Sequence, residues 1–211
     1  MQISVWQKPD DVEATLVRLG LSLAPLQRAV VAGHVSRISR TANDAPNAAG
    51  FYQWNETLRV LREELIPTRW ERRDDGNLPT IMRPDHKVSL AVSSGNQSTG
   101  KSDETPQTRG QKGASTAAVV YLNRQLELFP ARPRLARPEE GTHQTWVLLY
   151  YATPQELRSE LSLPVSMSVR GHISEWTERI ILPVQPLEPE TAIRPEPDFG
   201  PDVEITIQRR A

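Results

Sequence analysis

The sequence predicts an α+β fold: an antiparallel sheet of about five to six strands with about four helices packed on it, a long polar loop and a Pro-rich C-terminal tail. Three observations predict it. Residues 10–66 carry apolar side chains at helical spacing, the chain after Trp70 falls into short extended runs broken by turn residues, and residues 145–182 hold three successive strand patterns. A chain of 211 residues, 37% hydrophobic and 24% charged, can bury one main core, and its eighteen prolines mark where irregular segments lie.

In the helical layer, residues 10–66, Asp10 or Asp11 caps a first helix whose Val12, Leu16 and Leu19 share a face before Gly20 stops it. Pro25 opens a second helix carrying Leu26, Val30, Val31, Val35 and Ile38, broken by the Asn, Asp, Pro and Gly of residues 41–50. Trp54, Leu58, Leu61 and Leu65 form the stripe of a third, which Pro67 ends.

Residues 67–129 are mixed. Asp74-Asp75-Gly76-Asn77 and Arg83-Pro84-Asp85 read as turns, and Val88 to Val92 as a strand. Residues 93–116, rich in Gly, Ser, Thr and Gln, read as a long exposed loop. A fourth helix over 115–129 aligns Val119, Leu122, Leu126 and Phe129 before Pro130, and 130–144 reads as a solvated linker.

The antiparallel strands occupy 145–182. Residues 145–152 are a continuous apolar run, joined through Thr153-Pro154 to a half-buried strand in which Leu157, Leu161 and Leu163 alternate with Arg158, Glu160 and Ser162. After an Arg170-Gly171 turn, Trp176, Glu178, Ile180 and Leu182 alternate with Thr177, Arg179 and Ile181. Residues 1–182 thus read as a single domain, followed by an acidic, Pro-rich tail over 183–211 with an edge strand at 203–208.

Composition excludes several function classes. A net charge of −1 argues against a dedicated nucleic-acid binder, which concentrates Lys and Arg over the phosphates. Without cysteine there is no disulfide framework, thiolate nucleophile or Cys-based zinc site. Met1 to Trp6 lacks the basic and apolar pattern of an export signal, and no run approaches the ~20 apolar residues of a membrane span, so the expectation is a cytoplasmic protein without a membrane partner.

Residues 95–102, Gly-Asn-Gln-Ser-Thr-Gly-Lys-Ser, match the P-loop pattern, in which Gly95 and Gly100 would wrap a phosphate, Lys101 reach its oxygens and Ser102 hold magnesium. A P-loop also needs a helix starting at the Lys-Ser, whereas Asp103, Glu104, Pro106 and Gly110 follow here, so the match reads as a polar loop spelling the pattern. Asp75 (or Asp74), Asp85 and Lys87 have the spacing of a magnesium nuclease set, but the same acids serve as turn residues. His34, His86, His143 and His172 are scattered, without zinc or Ser/His hydrolase spacing. Helices over 11–40 permit a helix-turn-helix presenting His34, Ser36, Arg37 and Arg40, although a helical layer on a sheet needs no DNA. Lys101, Arg109 and Lys112 are candidate partner contacts on the long loop. Nothing in the sequence calls for a cofactor or a metal.

The runs Arg69-Trp70-Glu71-Arg72, Asp75-Gly76-Asn77, Pro84-Asp85, Leu90-Ala91-Val92, Gln125-Leu126-Glu127-Leu128-Phe129 and Trp176-Thr177-Glu178-Arg179-Ile180 resemble a family of uncharacterised bacterial proteins from variable genomic regions. The resemblance spans residues 30–183 and implies a place in a toxin–antitoxin or phage-defence operon, with another protein of that operon as partner. The resulting expectation is a non-catalytic interaction or regulatory component. The alternatives are an enzyme acting on nucleotide or nucleic acid through residues 95–102 or Asp75, Asp85 and Lys87, and a DNA-binding protein using residues 11–40.

Overall fold

Apolar stripes build the four helices seen in a computed structural model, which describes residues 3–128 and 143–187. They are α1 (Pro9–Arg18), α2 (Leu23–Ile38), α3 (Ala48–Leu65) and α4 (Ala114–Leu128). α1 starts on Pro9, whose missing N–H costs a first helical turn nothing, with Asp10 and Asp11 in that turn rather than at the cap. α2 and α3 pack closely at Gly33, where an added Cβ would run into Thr57 Oγ1 and lie 2.7 Å from the Gln53 carbonyl.

The strands are β1 (Ser4–Trp6), β2 (Glu71–Arg73), β3 (Thr80–Met82), β4 (Val88–Ser94), β5 (Gln144–Ala152), β6 (Glu156–Met167), β7 (Ile173–Ile181) and β8 (Gln185–Pro186). They form one open sheet in the order β1-β7-β6-β5-β4-β3-β2, with β8 continuing beside β6. The α+β class is as predicted, but the sheet has eight strands rather than five or six, and it is mixed rather than antiparallel. β4 and β5 run parallel, connected through α4, and β1 runs parallel to β7. The added strands β1, β2, β3 and β8 are two or three residues long, too short to show a period.

Both faces of the sheet are covered. On the first, Val12, Leu16, Leu26 and Leu61 of the helical layer pack on Leu90, Trp146, Leu148 and Leu161. On the second, Val120 of α4 meets Val147, Leu149, Ile173 and Trp176. Trp176 joins this second cluster because the β6–β7 register shifts at Leu163/Pro164, which breaks the strict alternation expected with Ile180.

Three further expectations are corrected. α4 turns Thr116, Val120 and Asn123 inward, leaving Leu122 exposed and Val119 half-buried, so its packed face is not the Val119–Leu122–Leu126 stripe. Val31 and Val35 of α2 face solvent. The loop over 95–113 is polar but exposed on one side only: Ser98, Thr99, Pro106, Thr108 and Gly110 are buried as it crosses the second face of the sheet, while Ser102, Asp103 and Arg109 face out. Phe129, most of the expected linker and the edge strand at 203–208 lie outside the described residues.

Candidate functional site

The loop that carries the P-loop pattern is held down by a buried ion pair. Glu160 on β6 and Arg179 on β7 are diagonal neighbours, Arg179 standing opposite Ser162; both are almost completely buried and joined by two contacts of 2.7 and 3.0 Å. The Glu160 carboxylate also accepts from Ser162 Oγ at 2.6 Å and from the Gly100 N–H at 2.8 Å. Arg179 donates to the carbonyls of Lys101 and Glu104, Arg158 to that of Gln97, and Trp176 Nε1 to that of Pro106. Arg158, Glu160 and Ser162 are therefore covered, not the solvent side of a half-buried strand. Each ion stays in a dry site because its partners replace water.

Within this loop the groups a P-loop would turn on a phosphate are taken. The N–H groups of Ser98, Thr99, Gly100 and Lys101 donate to Asn96 Oδ1, the Asn96 carbonyl, Glu160 and the Ser98 carbonyl respectively. Lys101 Nζ lies 2.7 Å from Glu104, which also accepts from Ser98 Oγ; Lys101 first and Ser98 second hold the Glu104 carboxyl below its ordinary range. Ser102 is exposed, and the next helix begins only at Ala114. Gly95 is bridged to Thr108, and Gly100 adopts φ +74° where an added Cβ would crowd the Arg158 side chain. Arg109 is exposed and Lys112 half-buried on the same loop.

The nuclease-like set does not converge into a metal site. Both carboxylate oxygens of Asp85 face Arg83, at 2.8 and 2.7 Å, and one also accepts the Lys87 N–H, so the pair first and the turn second hold its pKa below the ordinary range. Asp75 sits on a short 3₁₀ turn, and Asp74 pairs with Arg62. Among the described residues no group of three His, Asp or Glu side chains is placed to hold a metal. In α2 His34 is 1% exposed, so it cannot face DNA; Ser36 and Arg37 are half-buried.

Two arrangements are not legible from sequence. Parallel pairing of β4 with β5 brings Ser89 Oγ to 3.0 Å from His143 Nε2, while His143 Nδ1 lies 2.8 Å from the His86 carbonyl and must donate its proton there. That is the order of a serine–histidine pair, but Ser89 is 1% exposed and also bonds Thr145, so the hydroxyl is sealed from substrate and ties the two strand starts together.

The second arrangement is an open cleft of about 650 Å³ between α1, β1 and α4, floored by β5, β6 and β7. Asp11, Ala14 and Arg18 come from α1, Trp6 from β1, Leu126 and Glu127 from α4, and Thr177 and Glu178 from β7. Its volume is within the range that holds a small ligand or a partner's side chains. Arg18 and Glu178 pair at 2.6 Å, with Trp6 Nε1 donating to the same carboxylate at 3.4 Å. Asn123 fixes the floor by bonding both backbone groups of Thr145 and the Pro164 carbonyl. No sequence window could assemble this site, because its walls and floor come from segments far apart in the sequence.

Comparison with known protein families, curated proteins and solved structures finds no match to this chain. No helix among the described residues is long and apolar enough to cross a membrane.

Proposed function

We propose that this protein is a non-catalytic interaction component that binds another protein through the cleft between α1, β1 and α4. The observation that carries this reading is a contrast. The chemistry-bearing groups of the long loop and of the Asp85 turn are spent on one another, while the cleft is open and lined by mixed polar and apolar side chains. The operon setting implied by the family resemblance, with a partner encoded alongside, belongs to the same proposal.

Ala14 is exposed on α1 and lines the cleft, so Ala14→Trp fills it without entering the core. A partner co-expressed from the neighbouring gene should be retained by the tagged wild-type chain and lost by Ala14→Trp at unchanged melting temperature; equal retention by both places binding elsewhere. The rival reading, a nucleotide-acting enzyme, predicts that magnesium-ATP raises the melting temperature of the folded protein and that Lys101→Ala abolishes the rise. The proposal predicts no rise, because Glu104 and Glu160 already occupy Lys101 and the Gly100 N–H.

A further inference from the structure

Among the described residues, the charged side chains lining the cleft do not balance. It is lined by three carboxylates, Asp11, Glu127 and Glu178, and by one cation, Arg18, which is committed to Glu178 at 2.6 Å. Asp11 and Glu127 form no ion pair with another described side chain. Desolvation holds the carboxyl of Glu127, an exposed residue of α4, above its ordinary range. A carboxylate in that condition gains from a cation brought beside it.

Two other groups point to the same kind of occupant. Thr177 is only 9% exposed, yet its Oγ1 has no hydrogen-bond partner among the described residues, which is costly for a buried hydroxyl unless an incoming donor or acceptor satisfies it. Trp6 lines the same cleft, half-buried, and an indole beside carboxylates attracts a cationic group through both its ring and its neighbours.

We infer that the cleft takes a cationic side chain, the guanidinium or ammonium group of an Arg or Lys presented by the partner, held between Asp11 and Glu127 with Trp6 and Thr177 beside it. The inference rests on the cleft being the partner site and names what enters it. The stem of such a side chain covers Leu126 and Leu163, which line the cleft, while its charged head reaches the carboxylates.

The test titrates the full chain with N-acetyl-arginine amide and, separately, with its neutral isostere N-acetyl-citrulline amide, following the Trp6 indole N–H resonance. The arginine probe should give a saturable shift with a dissociation constant on the order of 1 mM, typical of one small group without the rest of a partner. The citrulline probe should give none, and Asp11→Asn with Glu127→Gln should weaken arginine binding at least about tenfold, the loss of roughly one well-placed charge contact. Both acids sit on exposed helix positions, so the folded state survives the change. Equal shifts from the two probes, no shift from arginine, or unaltered binding by the double variant would each overturn the inference. A partner lost by Ala14→Trp but kept by the double variant would leave the cleft as the docking site and remove the cation from it.

Discussion

The two faces of the sheet are built on different chemistry. The first is an ordinary apolar interface, where the helical layer packs on Leu90, Trp146, Leu148 and Leu161. The second is largely polar, with Arg158, Glu160, Ser162 and Arg179 buried under a loop and only a small apolar cluster beneath α4. The apolar face tolerates imprecision because burial is non-directional, whereas the polar face is stable only when each donor and acceptor meets its partner.

Losing one partner from the polar face should cost most. Arg179→Met leaves Glu160 buried without its cation, an expected loss of about 3–5 kcal/mol in chemical denaturation. Amides of residues 96–108 should also exchange faster at temperatures where the rest of the chain stays protected. Leu161→Ala on the opposite face makes a cavity worth about 2–5 kcal/mol. Its signature should differ, lowering the global transition while the loop amides keep their protection relative to the core. If both variants loosen the loop equally, the two faces are one cooperative unit.

A smaller effect is expected of Gly100→Ala. The new Cβ would stand 2.9 Å from the Arg158 Cβ at a backbone φ of +74°, so the loop must lift, at about 1–3 kcal/mol. Smallest of all is Lys101→Ala, which removes a half-exposed pair with Glu104 and should leave the melting temperature nearly unchanged, since such pairs contribute little.

This contrast also explains what the sequence discloses. The apolar face is written in stripes such as Leu58, Leu61 and Leu65, so the existence and order of its helices are legible, although α2 and α3 begin two or more residues earlier than their stripes suggest and α3 takes in part of the expected 41–50 break. Alternation on β6 separates Leu161 and Leu163 from Glu160 and Ser162, but periodicity names two faces without saying what covers the second. A polar loop over a polar face has the composition of a solvated one, so residues 95–113 read as exposed until Arg179 and Glu160 are seen reaching them. The P-loop pattern misleads for the same reason: the Gly100 N–H does meet an anion, but the anion is the protein's own Glu160, and the neighbouring N–H groups are spent within the loop. The cleft is the least legible feature, since Trp6 and Glu178 touch across 172 residues of chain.

That last separation sets an order of assembly. Among the described strands β1 pairs with β7 alone, which lies far later in the sequence, so β1 can join the sheet only after β7 has been made. The wall that Trp6 contributes to the cleft comes into being at that moment. A chain truncated before residue 173 would hold α1 and α4 yet lack the floor strand that draws β1 into place, so the cleft is a product of the whole sheet rather than of its helices.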